Sequence, residues 1–120
     1  MSRLRFLLDE HLAHAIQSRL LQLNAEIEIL VMGQPFAPPI GTSDQDILIW
    51  LERTGYVLIT NNRRTMPDHI RTHYDAGHRL PGLFLLKRQA RIGQVIEQLY
   101  LLWIASDAEE YLDRLLYLPM

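Results

Sequence analysis

Apolar residues along the chain fall into two alternating patterns. In some segments they run continuously over a few positions, and in others they recur every three or four positions with polar residues between them. A short continuous run is typical of a strand that is buried on both faces, whereas the longer period is typical of a helix with one buried face. The continuous runs predict strands at Arg3–Leu8, Glu26–Met32, Tyr56–Thr60 and Gly82–Leu86.

The predicted helices are bounded by capping residues, glycine and proline. The first runs from about His11 to Leu23, where leucine and isoleucine recur at helical spacing. A capping box of Thr42 and Gln45 opens the second helix, and Gly55 ends it. Three further helices are predicted from Pro67 to Gly77, over Ile92–Ala105, and from a capping box of Ser106 and Glu109 onwards.

The order βαβαβαβαα predicts a three-layer α/β/α fold with a mostly parallel sheet of four or five strands, formed by residues 1–120 as a single domain. Ligands of such sheets bind outside the carboxyl ends of the strands, where the strand order reverses. In short doubly wound folds this point lies between the first and third strands. Because Asp9 follows the first strand and Asn62 follows the third, we expect the two residues to be neighbours.

Composition excludes several classes of protein. The chain has no cysteine, which removes disulfide frameworks, thiolate nucleophiles and cysteine-based zinc sites. Of its 120 residues, 48% are hydrophobic, which is enough for one buried core. No apolar run approaches the roughly 18 to 20 residues of a membrane span, and the first residues lack the apolar segment of a signal peptide. We therefore expect a cytoplasmic protein that does not contact a membrane.

Charge is unevenly distributed, although the net charge is only −2. The segment from Asn61 to Gly93 has seven basic and two acidic residues, so it carries +5 while the rest of the chain carries −7. Such an asymmetry can attract a polyanion, and arginine binds phosphate with a better-matched geometry than lysine. A solvated arginine-rich surface with no ligand explains the pattern equally well. If the segment binds nucleic acid, we expect Arg63, Arg64 and Arg88 to make the contacts.

Carboxylates lie near the predicted ligand-binding edge. Asp9 and Glu10 follow the first strand, and Asp44 and Asp46 begin the second helix. A set of oxygen ligands without cysteine favours Mg²⁺ or Mn²⁺ over zinc. Carboxylates in the first turn of a helix are also favoured by the helix dipole alone, and Asn62 also suits a turn. Both the functional and the structural interpretations remain open at this stage.

Three segments resemble the PIN-like domains: "FLLDEH" near the start, "GTSDQDILIWLERTGYVLITNNRR" in the middle and "PGLFLLKR" later. They are similar in particular to a small uncharacterised branch near the toxin-type PIN nucleases, and the similarity covers most of the chain. The resemblance implies a parallel sheet that gathers acidic residues around Mg²⁺ or Mn²⁺. It also implies cleavage of RNA.

The resemblance further implies which residues form the site. Asp9 matches the aspartate after the first strand, and Asp44 matches the acid that opens the middle helix, with Asp46 as the alternate. The later family motif reads Thr-x-Asp-x-Asp-Phe, whereas this chain has Asn62 and Arg64 at the two aspartate positions. The implied catalytic residues are Asp9, Asp44 and Asn62, and the implied metal ligands are Asp9, Asp44 and Asp46.

Two functional hypotheses follow from these patterns. The first is a Mg²⁺- or Mn²⁺-dependent ribonuclease, as the toxin of a toxin–antitoxin pair with an antitoxin-like protein as its partner. The second is the same scaffold without catalysis, which binds nucleic acid or a protein partner through the arginine-rich segment. A phospho-receiver domain is disfavoured because the third strand ends in Thr60 and Asn61 rather than in an acceptor aspartate.

Two further clusters have competing interpretations. His69 and His73 have the spacing of two zinc ligands on one helix face, with His78 nearby, but exposed helical histidines explain the same spacing more simply. The apolar cluster on the long helix is expected in the core or on a homodimer face. It consists of Leu99, Leu102 and Trp103.

Overall fold

Five strands and four α-helices alternate in the computed structural model, which describes residues 2–9 and 14–120. The predicted beginning of the first helix, at His11 and Leu12, and the predicted ligand Glu10 lie outside the described residues. The elements in chain order are β1 (Phe6–Leu8), α1 (His14–Leu23), β2 (Ile29–Val31), α2 (Asp44–Thr54), β3 (Val57–Thr60), α3 (Met66–Asp75), β4 (Leu83–Leu86), α4 (Ile92–Ala105), a 3₁₀ turn (Ala108–Tyr111) and β5 (Leu115–Leu118).

The five strands form one sheet, in which every neighbouring pair is parallel and the spatial order is β2-β1-β3-β4-β5. The predicted fold class is confirmed. In the register, Phe6 of β1 lies opposite Ile29 of β2 and Val57 of β3. The strand order therefore reverses at β1, and the predicted adjacency of the first and third strands is confirmed.

Each face of the sheet is covered by a pair of helices because successive strand residues point to opposite faces. Phe6 and Leu8 pack on one side with residues of α1 and α4, whereas Leu7 packs on the other side with residues of α2 and α3. Both clusters are buried, which gives the three layers. Leu99, Leu102 and Trp103 are all buried in the cluster beneath α1 and α4, as the core interpretation requires.

The end of the chain differs from the prediction. Ser106 and Glu109 do not open a helix; Asp107 and Glu110 form the capping box of a short 3₁₀ turn, and β5 follows. The sequence from Tyr111 onwards has leucines at helical spacing, but Asp113 has a left-handed φ of 60° that interrupts a helix. Leu115–Leu118 is itself a short apolar run, but the edge position of β5 leaves much of it exposed, and its leucines also fit helical spacing with Leu112, so the run alone does not distinguish a strand from a helix.

The beginning of α2 also differs by one residue from the prediction. Ser43 is the N-cap, and its Oγ accepts a hydrogen bond from the Asp46 N–H at 3.2 Å. Thr42 instead donates its hydroxyl to the Pro39 carbonyl at 2.6 Å. The C-cap at Gly55, with φ 85°, is confirmed. In the part of the chain that the structure describes, no helix combines the length and the apolar character needed to cross a membrane.

Candidate functional site at the carboxyl edge of the sheet

The ends of β1 and β3 meet through a short hydrogen bond between side chains. Thr60, the last residue of β3, is completely buried, and its Oγ1 donates to Asp9 Oδ2 at 2.6 Å. The Asp9 N–H continues the ladder by donating to the Ile59 carbonyl at 3.1 Å. Asp9 is half-buried, so the residue remains partly accessible to solvent.

Asn62 connects this strand end to α2. Its N–H donates to Thr60 Oγ1 at 3.1 Å, and its side-chain Nδ2 lies 3.4 Å from Asp44 Oδ2. The same amide shapes the following turn, since Nδ2 donates to Thr65 Oγ1 at 2.8 Å and Oδ1 accepts the Thr65 N–H at 3.3 Å. Asn62 therefore forms the turn, and it also lies between Thr60, which contacts Asp9, and Asp44 at the start of α2.

Asp44 and Asp46 have different surroundings although both are in the first turn of α2. Asp44 is half-buried, and its Oδ2 lies 3.4 Å from His69 Nε2. The other ring nitrogen of His69 lies 3.0 Å from the Gln45 amide. Asp46 is exposed. The structure thus connects Asp9 and Asp44 through Thr60 and Asn62, but it does not connect Asp46 to them by any of these hydrogen bonds.

Three arginines form a cleft beside this polar chain. The cleft has a volume of about 420 Å³ and is lined by Asn61, Asn62, Arg63, Arg64 and Arg88. Arg63 donates from Nη1 to the carbonyl of Leu86, the last residue of β4, at 2.7 Å. Because β3 and β4 are parallel neighbours, the segments that follow them leave the sheet at the same edge. The three arginines expected to bind nucleic acid therefore converge on one cleft.

A separate polar cluster lies at the opposite, amino edge of the sheet. Glu52, near the end of α2, lies with its Oε1 2.9 Å from His78 Nδ1 and 3.6 Å from His73 Nε2. The hydrogen bond from the Arg79 N–H lowers the pKa of the Glu52 carboxyl below its ordinary value of 4.5, burial opposes this effect, and His78 adds to it. Glu52, His73 and His78 each offer one atom that could bind a metal ion, and these three atoms lie within 4.8 Å of one another.

The interpretation of the helical histidines as exposed is wrong for His73. Its exposed fraction is 2%, and its ring contacts Glu52 rather than His69, which lies beside Asp44. The spacing of His69 and His73 therefore does not form a common site. Glu52 was missed because it lies on a different helix, and no spacing within one helix can indicate a ligand on another.

Comparison with known proteins gave no relative. No protein-family model matches the sequence, no curated protein is similar to it, and no solved structure matches its fold.

Proposed function

We propose that the protein binds single-stranded RNA through the arginine cleft at the carboxyl edge of the sheet. The observation that carries the proposal is the convergence of Arg63, Arg64 and Arg88 on one cleft at the edge where parallel sheets bind their ligands. The +5 charge of the surrounding segment would attract the phosphate backbone, whereas the acidic remainder of the chain would repel it.

The shape of the cleft favours a single strand over a duplex. Its volume of about 420 Å³ is within the range of pockets that enclose a small ligand, such as one nucleotide. Guanidinium groups bind phosphate oxygens through pairs of N–H donors, and the exposed Asn61 amide adds a donor and an acceptor for a sugar or a base edge. We propose RNA rather than DNA because of the resemblance to PIN-like domains. Comparing the affinity for an RNA strand with that for a DNA strand of the same sequence tests this choice.

The test is the affinity for a short fluorescent RNA, measured by anisotropy over a range of salt concentrations. We expect the logarithm of the binding constant to fall with the logarithm of salt concentration with a slope of about −2, since three phosphate contacts to a single strand contribute about −0.7 each. Arg64→Ala or Arg88→Ala should weaken binding about fivefold, because an exposed ion pair contributes about 1 kcal/mol. Each substitution should also reduce the slope by about 0.7.

The matched control is Arg19→Ala, which removes an exposed arginine of α1 whose guanidinium contacts Gln22 rather than the cleft. It should leave the affinity unchanged. Equal losses in the control and in the cleft variants would contradict the proposal, because they would reflect net charge alone. Equal affinity for DNA would extend the ligand class to single-stranded nucleic acid in general.

A second candidate function is Mg²⁺- or Mn²⁺-dependent cleavage of the bound RNA, by a PIN-like toxin nuclease that an antitoxin-like partner would inhibit. It is favoured by the hydrogen-bonded chain from Asp9 through Thr60 and Asn62 to Asp44. The donor set fits these ions because both carboxylates and the Asn62 amide offer oxygen ligands. A bound ion would supply an activated water for attack on a phosphodiester. Asp9 and Asp44 would hold it, and the arginines would hold the RNA backbone.

The test of the second candidate is Mn²⁺ binding by calorimetry to the wild type, Asp9→Asn and Asn62→Asp. We run all three in a His78→Ala background, so that the imidazole cluster at the amino edge does not contribute. Wild-type binding that Asp9→Asn removes would support a working acidic site. Binding gained only in Asn62→Asp would refute the cleavage candidate, because the natural asparagine would then leave the site without its metal.

A further inference from the structure

We propose that Glu52, His73 and His78 form a zinc site at the amino edge of the sheet, separate from the arginine cleft. The three side chains come from the end of α2, the last turn of α3 and the connection to β4. Two imidazoles and one carboxylate are a ligand set that zinc uses in proteins, and imidazole ligands favour zinc over Mg²⁺.

The spacing of the ligand atoms fits a tetrahedral ion. Zinc bonds of about 2.0 to 2.2 Å in tetrahedral geometry place the ligand atoms about 3.4 Å from one another. Here Glu52 Oε1 is 2.9 Å from His78 Nδ1 and 3.6 Å from His73 Nε2, and all three atoms lie within 4.8 Å of one another. Shifts of less than about 1 Å per side chain would therefore bring these atoms to the tetrahedral spacing.

The ligands are held in position before any ion binds. His73 is almost completely buried, and its ring stacks on that of His78 with a centroid distance of 4.8 Å. The second carboxylate oxygen of Glu52 accepts the Arg79 N–H at 3.1 Å, which orients the first oxygen towards the imidazoles. Contacts of this kind fix the orientation of metal ligands in known sites.

Two oxygen atoms lie close to His73 Nε2, and a cation bound between these three atoms would account for their arrangement. The nitrogen lies 3.0 Å from the Arg79 carbonyl and 3.6 Å from Glu52 Oε1. Without a metal, a proton on Nε2 must satisfy these acceptors. Zinc would take the place of that proton, with the Arg79 carbonyl or a water as its fourth ligand. The competing arrangement is a purely protonic cluster, in which Glu52 pairs with a charged histidine.

The location indicates a structural role for the ion. Glu52 also lines a cavity of about 330 Å³ together with Gly55, Leu80 and Asp113. The site joins the end of α2 to the connection between α3 and β4, and these segments precede β3 and β4, which both have neighbours on two sides in the sheet. A bound ion would therefore resist separation of α2 from α3.

The test is zinc binding by calorimetry to metal-free protein, with His78→Ala and Glu52→Gln as the variants. We expect the wild type to bind one zinc ion per chain. In either variant the dissociation constant for zinc should be at least tenfold larger. His78 is the more informative position because 42% of its side chain is exposed, so its removal should leave the fold intact. His14→Ala is the matched control, since His14 is an exposed histidine of α1, and it should bind zinc as the wild type does.

A second measurement separates the zinc site from the protonic cluster. Co²⁺ in place of zinc should give the visible absorption of a four-coordinate ion with nitrogen and oxygen ligands in the wild type and in His14→Ala, and not in His78→Ala. Zinc binding that survives in both variants, or no binding by the wild type, would overturn the proposal. These results do not test the RNA-binding proposal, because the arginines substituted for that proposal lie at the opposite edge of the sheet.

Discussion

Replacing Thr60 with valine should lower the free energy of unfolding by about 2 kcal/mol. Valine has nearly the same shape as threonine, so the substitution removes one hydroxyl group and leaves the packing of β3 intact. That hydroxyl donates to Asp9 Oδ2 at 2.6 Å and accepts the Asn62 N–H at 3.1 Å. Both partners would lose a hydrogen bond at a position where Thr60 itself is completely buried.

The magnitude follows from the two bonds. A hydrogen bond to a charged group contributes about 1.5 to 3 kcal/mol, and a neutral one about 0.5 to 1.5 kcal/mol. Asp9 and Asn62 are half-buried, so water replaces part of each bond in the variant and the sum falls towards its lower end. With an unfolding entropy of about 2.1 cal/mol/K per residue, 2 kcal/mol in a chain of this length lowers the melting temperature by about 8 °C.

The assay is urea unfolding followed by circular dichroism, with thermal unfolding as a second measure. Thr72→Val is the matched control, because Thr72 is exposed on α3 and its hydroxyl donates to the Asp68 carbonyl of the same helix at 3.1 Å. Thr72→Val should lower the free energy of unfolding by less than about 0.5 kcal/mol. A Thr60→Val variant within 0.5 kcal/mol of the wild type, by the same threshold, would show that the strand ends are not held together by this hydroxyl.

Three other perturbations test the framework around the site. Gly82→Ala should cost about 2 to 4 kcal/mol, since Gly82 has φ 137° and a Cβ there would lie 2.9 Å from the Tyr111 carbonyl oxygen; an unchanged urea midpoint would contradict this. Gly93→Ala in the first turn of α4 should instead stabilise by about 0.5 kcal/mol, because nothing lies within 4 Å of the new Cβ. For Asp113, the Leu80 N–H is the main cause of a carboxyl pKa below the ordinary 3.8, so its stabilising effect is present above that pH and is lost as the pH falls through the folded-state pKa. The difference in stability between the wild type and Asp113→Asn should therefore be smaller at a pH below 3.8 than at pH 7, and an equal difference at both would refute the linkage.

Most of the sheet could be predicted from the sequence because its first four strands are buried. β1 and β3 are continuous apolar runs, and the helices between them end at recognisable caps such as Gly55. The fifth strand could not be predicted in the same way. Its exposed leucine and tyrosine lie on the sheet edge, and the left-handed Asp113 that separates it from the preceding turn has no distinctive sequence pattern.

Part of the candidate site could likewise be predicted from the sequence, and part could not. The meeting of Asp9 with the end of β3 followed from the strand order alone, and so did the common edge of Arg63 and Arg88. The cluster around Glu52 did not follow, because it depends on how α2 packs against α3. Periodicity within a helix gives the buried face of that helix, but it does not give the partner that the face meets.

The hydrogen bond between Arg63 and the Leu86 carbonyl has a consequence for the thermodynamics of association. A flexible arginine side chain on the surface loses rotational freedom when it binds a phosphate, and this loss costs about 0.5 to 1.5 kcal/mol of binding free energy. Arg63 has already given up much of that freedom during folding, and its remaining N–H groups are available to a ligand. If RNA binds in the cleft as proposed, the entropy lost on binding should therefore fall mainly on Arg64 and Arg88 rather than on Arg63.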